Sequence, residues 1–147
     1  SGQCVFRDEL MERMEQKVKW CDGIIVGSPV YYAGPNGFLC AFLDRLFYSQ
    51  GSHLRYKPAA SVAVCRRGGA SATFDRLNKY FTINNMPVVS SQYWNSVHGL
   101  IAGEATQDGE GMQTMRTLAR NMAWMLNSLQ GSETPEMEPR VSTNFVR

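Results

Sequence analysis

An α/β fold, with a mostly parallel sheet layered between helices, is the class this sequence predicts, and three observations predict it. Amphipathic stretches of helical period alternate with short, β-branched apolar runs along the chain. The apolar run Ile24-Ile25-Val26-Gly27-Ser28-Pro29-Val30 is bounded by turn residues and carries no charge, as a parallel strand buried on both faces should. Short right-handed crossovers between such strands place helices on both faces of a sheet. The length of 147 residues matches about one domain of roughly 150.

The first helix begins at Asp8, where Asp8 and Glu9 suit a helix start, continues through Leu10, Met11, Met14 and Val18 on one stripe, and ends near Trp20. The strand over 24–30 follows. Asn36 caps a second helix, whose residues Phe38, Leu39, Phe42, Leu43, Leu46 and Phe47 make a wide apolar stripe. Ser61-Val62-Ala63-Val64-Cys65 reads as the second strand. Thr73 is placed to cap a third helix carrying Phe74, Leu77, Tyr80 and Phe81, and Met86 to Tyr93 reads as a third strand entered through Pro87. Met112, Met115, Leu118, Met122, Leu126 and Leu129 mark the last helix. Three strands make a thin sheet, and the first has nothing to protect an exposed edge. An added strand–helix–strand segment ahead of Ser1, or a second subunit, is therefore expected against it.

Composition narrows the function. Hydrophobic residues at 44% and charged residues at 19% are globular values, which excludes a disordered chain. The longest apolar run, 38–43, is far short of the roughly 20 residues that span a bilayer, so no membrane association is expected. Fifteen basic against 13 acidic residues leave a net charge of +2, too little for nucleic acid as the main partner. Cys4, Cys21, Cys40 and Cys65 lack C-x-x-C spacing, and His53 and His98 lack companion ligands. Free thiols in a cytoplasmic setting, and no metal site, are the expectation. Motifs for Rossmann domains, P-loop ATPases, α/β hydrolases and zincins are absent, and Cys65 has no histidine partner that would make it a nucleophile.

In an open α/β sheet, ligands bind beyond the carboxyl ends of the strands. The loop from Gly27 to Gly37 combines Ser28, exposed backbone donors, Tyr31 and Tyr32, which suits a planar polar heterocycle. The bland alternative is that the tyrosines seal the core and Pro35-Asn36-Gly37 starts a helix. Cys65-Arg66-Arg67-Gly68-Gly69-Ala70-Ser71 offers glycines, N–H groups and two guanidiniums to an anion or a ring that gains negative charge. An ordinary glycine turn with solvated arginines is its alternative. A third loop, Gln92 to Gly99, is aromatic and polar, as a lining would be.

Asp22 to Tyr32 together with Gly37-x-Leu39-x-Ala41-Phe42-x-Asp44-Arg45 closely resembles the flavodoxin-like NAD(P)H-dependent FMN reductases. Ala63 to Gly69, Pro87 through Asn95, and Asp108-x-Glu110-Gly111 extend the resemblance over residues 4 to 130. It implies a doubly wound, three-layer α/β/α fold with strand order 2-1-3-4-5 and an FMN-binding domain over 1–130, while residues 131–147 lack periodicity and read as an extended arm. It also implies FMN bound by Ser28, Pro29, Val30, Tyr31, Tyr32, Asn36, Gly37, Arg66, Arg67, Gly68 and Gly69, with Tyr93, Trp94 and Asn95 lining the substrate. NAD(P)H would reduce the flavin, which would pass electrons to a quinone, free flavin, metal ion or similar small acceptor. No catalytic side chain is required because the flavin carries the chemistry. The family's phosphate-binding loop has no match in these residues. The iron–sulfur flavoprotein branch places a cysteine cluster just ahead of Gly2-Gln3-Cys4, and the companion cysteines are not in this sequence. A homodimer is expected, with Phe145 and Val146 docking the arm. A flavodoxin-like electron carrier is the second reading, disfavoured by the +2 charge, and a cofactor-free interaction domain is the third.

Overall fold

The computed structural model describes residues 4–139 and 141–143. Eight main elements follow in order: α1 (Glu9–Trp20), β1 (Ile24–Tyr31), β2 (Gly34–Pro35), α2 (Gly37–Leu54), β3 (Ala59–Cys65), α3 (Ala70–Thr82), β4 (Ser96–His98) and α4 (Gly109–Leu129). A short 3-10 turn over Glu104–Gln107 precedes α4. The sheet order is β2-β1-β3-β4. β1, β3 and β4 run parallel, with Ile24 beside Ala59 and Cys65 beside His98, and β2 folds back antiparallel on the end of β1.

Local chemistry sets most boundaries. Asp8 caps α1 by accepting the Met11 N–H at 2.8 Å, and Asn36 caps α2 by accepting the Leu39 N–H at 3.0 Å. Asp108 does the same for α4 through the Gly111 N–H at 2.9 Å. For α3 the sequence expectation fails. The helix begins at Ala70 behind Gly69, which turns the chain at φ +88°, and Thr73 lies inside the helix with its hydroxyl buried and unpartnered among the described residues.

The strand expected over 86–93 is also corrected. Only Val88 bridges Ala59 there, and the ladder resumes at Ser96–His98. Between them the chain leaves the sheet to meet α4, where Asn121 Nδ2 donates to Ser90 O at 2.7 Å and Gln92 Nε2 to Thr114 Oγ1 at 3.2 Å. Those side-chain bonds replace the missing ladder. The antiparallel β2 is an element the sequence reading lacks.

The core has two parts. On one face Met11, Val18, Leu43, Leu46, Phe47, Leu54, Leu77 and Phe81 from α1, α2 and α3 close over Val26 and Ala59. On the other, Leu118 and Met122 of α4 cover Ala60, with Val62 and Val89 alongside. Because α4 lies over β3, it leaves the adjoining face of β1 open. Ile25 is 54% exposed, so β1 is buried on one face, not two as its apolar run predicts. Apart from β2 at its end, the outer edge of β1 carries no partner strand among the described residues. Leu10 and Phe38 are likewise exposed despite their place in apolar stripes.

The arm over 131–139 crosses the opposite end of the sheet, where Tyr56 Oη donates to Pro135 O at 3.4 Å and Arg55 approaches Met137 Sδ at 3.4 Å. Phe145 and Val146, expected to dock the arm, lie outside the described residues. All four cysteines are free thiols. No helix among the described residues is long and apolar enough to cross a membrane.

Candidate functional site

Two of the three predicted loops meet at the carboxyl ends of β1 and β3. Tyr31 to Gly34 forms a two-residue hairpin in which Tyr32 (φ 49°) and Ala33 (φ 58°) both adopt the left-handed region. Side-chain-bearing residues rarely take that conformation twice in succession, and such strain concentrates at ligand-binding loops. Tyr32 projects fully into solvent and Tyr31 is more than half exposed, so neither tyrosine seals the core. The hairpin is clasped from below. Buried Ser28 accepts the Asn36 N–H and donates to Pro29 O, both at 2.8 Å. Ser28 and Asn36 therefore hold the loop's shape with polar atoms that are already engaged, while Pro29, Val30 and Gly37 complete the backbone turn into α2.

The second loop packs against this hairpin. A Cβ at Gly69 would stand 2.7 Å from Ala33 Cα and 2.8 Å from a Val30 methyl. Only glycine permits that approach, and the positive φ demands glycine independently. A Cβ at Gly68 would meet nothing within 4 Å, so its backbone faces open space. The N-cap residue Gly69 offers α3 no side chain, the Ala70 N–H reaches the Cys65 thiol, and Arg66 and Arg67 are exposed with no carboxylate partner among the described residues. The crevice thus combines exposed aromatic faces, uncapped helix N–H groups and two unpaired guanidiniums. Positive potential gathers on one side, where a ring gaining negative charge would be stabilised. Cys65 ends β3 beneath it, and burial pushes its thiol above the ordinary value, against a nucleophilic role.

The Asp44-Arg45 pair of the family-like motif lies further along α2. Asp44 accepts from the Tyr80 hydroxyl and lies 3.6 Å from Arg76, whose guanidinium covers the Tyr80 ring at 4.7 Å. Burial and the adjacent Asp44 carboxylate raise the Tyr80 phenol above its usual range. Arg45 pairs with Asp8 at 2.7 Å, approaches Cys4 Sγ at 3.4 Å and donates to Phe6 O. Together these residues tie α2, whose first residue follows the hairpin, to α3 and to the segment before α1.

The third loop stands on the free edge of β4. Tyr93 and Trp94 are exposed, whereas Asn95 is buried and holds the loop, with its Oδ1 accepting from Ser91 Oγ at 2.8 Å. Sequence reasoning grouped all three as lining residues, and the structure gives Asn95 a supporting position. It left out Asp108 as a partner of this loop. Asp108 Oδ2 accepts the His98 N–H at 2.7 Å and lies 3.4 Å from His98 Nδ1, so one carboxylate caps α4, closes the edge of β4 and orients the imidazole. The only sequence signal was the Asp108-x-Glu110-Gly111 motif. Among the described residues no group of three or more His, Cys, Asp or Glu side chains could hold a metal ion.

Residues 2–100 match the sequence profile of the NADPH-dependent FMN reductases. The chain is 34% identical over 130 residues to an iron–sulfur flavoprotein of Methanocaldococcus jannaschii, covering 83% of this chain and 67% of that one. It is 30% identical over 131 residues to the iron–sulfur flavoprotein of Methanosarcina thermophila, covering 86% and 67%. Among solved structures it superposes on the Trp repressor binding protein from Bacillus subtilis with a TM-score of 0.61 at 16% identity, over 78% of this chain and 69% of that one. A flavodoxin-like fold is shared with that structure.

Proposed function

Because the chain belongs to the NADPH-dependent FMN reductase family of flavoprotein oxidoreductases, we propose that it takes a hydride from NAD(P)H onto FMN and passes electrons to a small acceptor. The observation that carries this reading is the contact of Gly69 with Val30 and Ala33. It joins an aromatic, donor-bearing hairpin to a cationic loop at the end of the sheet where such folds bind ligands.

The residues fit a flavin ring. The exposed tyrosines offer flat apolar faces, and the open backbone at Gly68 and the uncapped start of α3 offer hydrogen-bond donors. FMN, when bound, supplies the hydride-accepting and electron-donating chemistry. In this reading Tyr31 and Tyr32 cover the ring, while the clasped hairpin holds its position without needing a side-chain acid or base. Arg66, Arg67 and the first turn of α3 would stabilise negative charge on the reduced ring. Preorganised donors of this kind favour the reduced, charged form over the neutral one.

The test begins with FMN titrated into the purified protein and flavin fluorescence followed. Anaerobic NADPH and NADH are then mixed separately with the complex. The reading expects saturable binding and bleaching by at least one of the two nicotinamides. A protein that binds FMN and is bleached by neither would be an electron carrier, and one that binds no FMN would remove the flavin reading for this chain. Arg66→Ala is expected to weaken FMN binding or slow bleaching about tenfold, the effect of losing a charge-assisted contact worth roughly 1.4 kcal/mol. Unchanged affinity and rate would place Arg66 outside the site.

A further inference from the structure

The cavity between the aromatic loop and the start of α4 is lined by Tyr93, Trp94, His98, Asp108, Glu110 and Thr114, among others, and has a volume of about 160 Å³. We propose that it binds a small organic cation through a guanidinium or ammonium group. The space equals about five waters at roughly 30 Å³ each, enough for such a head group and a short stem.

The aromatic wall is built and held. Tyr93 and Trp94 rings stand 5.2 Å apart at 52°, and each residue is 59% exposed. The chain beneath them is anchored by Asn95 and by the two bonds to Asn121 and Thr114 of α4, with Thr114 itself buried. Burying polar groups to fix a loop whose aromatic side chains stay in water is a preorganised arrangement, and it lowers the ordering cost of binding. Glycine forms part of the floor. A Cβ at Gly111 would stand 2.5 Å from Asp108 Oδ2 and 3.0 Å from Val97 Cα, so glycine lets the start of α4 pack directly on β4 at this floor.

The charges select the ligand. Asp108 and Glu110 line the cavity, and no lysine or arginine does. Hydrogen bonds from the Gly111 and His98 amides, with His98 beside it, hold the Asp108 carboxyl below its usual range, so it stays ionised. A cation entering here meets two carboxylates and the negative faces of two rings. An anion would face both carboxylates, and the positive end of α4 is already occupied by Asp108. The site lies beside β4, the outermost strand among the described residues, with its His98 next to Cys65 at the foot of the Arg66–Gly69 loop, and it does not depend on the redox reading.

Butylguanidinium chloride and its neutral isostere butylurea, at matched ionic strength, make a direct test on the whole chain. The Trp94 indole and Gly111 amide resonances report the site. Saturable shifts with butylguanidinium, at least about threefold tighter than with butylurea, are expected. Glu110→Gln and Trp94→Leu, the latter read at Gly111, should each weaken binding about threefold or more, within the range of single charge and cation–π contributions. Equal affinity for butylurea, or absence of saturation, would overturn the proposal. Shifts that appear on raising the protein concentration without ligand would also overturn it, by assigning the pocket to a basic side chain of a second copy.

Discussion

Gly69 is where the two loops proposed to hold the flavin meet. It starts α3, it adopts a φ that disfavours side chains, and it lets one loop touch the other. Gly69→Ala is expected to cost about 1–2 kcal/mol from the left-handed conformation alone. Because the added methyl also strikes Ala33, the hairpin must move, so FMN affinity should fall along with the urea midpoint. A lower midpoint with unchanged flavin affinity would separate the contact from the function. Ser28 illustrates a different kind of residue. From sequence its hydroxyl looked available to a ligand, yet it is buried and satisfied by Asn36 and Pro29. Which polar side chains a loop keeps for itself depends on the path of its backbone, and composition does not specify that path.

At the scale of elements, β1 departs most from its expected environment. Its apolar run predicts burial on both faces, but α4 on the second face lies over β3. The Ile24 N–H donates to Pro58 O at 3.0 Å, so the alternation of a parallel ladder directs the N–H groups of Val26 and Ser28 toward β3 and those of Ile25 and Gly27 outward. Hydrogen exchange should therefore alternate along β1, fast at Ile25 and Gly27 and slow at Val26 and Ser28. Uniform protection would mean that another strand covers the edge in solution. The helices were more legible. Asp8 and Asn36 mark their starts because a side-chain oxygen satisfying a first-turn N–H is local chemistry. Thr73 misled because the same residue type also fills helix interiors, and the deciding feature, the turn at Gly69, belongs to the backbone.

Across the whole molecule, three carboxylates connect stability to acid. Asp8 is held low by the Met11 amide and Arg45, Glu104 by the Leu100 and Ile101 amides, and Asp108 by the Gly111 and His98 amides. Each binds its proton less readily when folded than when unfolded. Their stabilisation is present above the ordinary carboxylate range near 4, and is lost as pH falls through the lower folded values. Urea midpoints measured from pH 6 down to pH 3 should decline, and Asp108→Asn should flatten part of that decline while lowering the midpoint at pH 6. A pH-independent midpoint would remove these contacts from the stability of the fold.

By itself the sequence determined the α/β class, the order of helices and parallel strands, two helix caps and the two loops proposed to hold the flavin. Periodicity, capping and glycine-rich turns are short-range properties, and the family-like motifs lie within continuous segments. Tertiary structure decided that Gly69 seats one loop against the other, that Ser28 and Asn95 are buried and hydrogen-bonded within their own loops, and that Asp108 serves a helix, a strand edge and a histidine together. Those contacts join residues distant in sequence, so they arise only when packing brings separate backbone segments within a few ångströms.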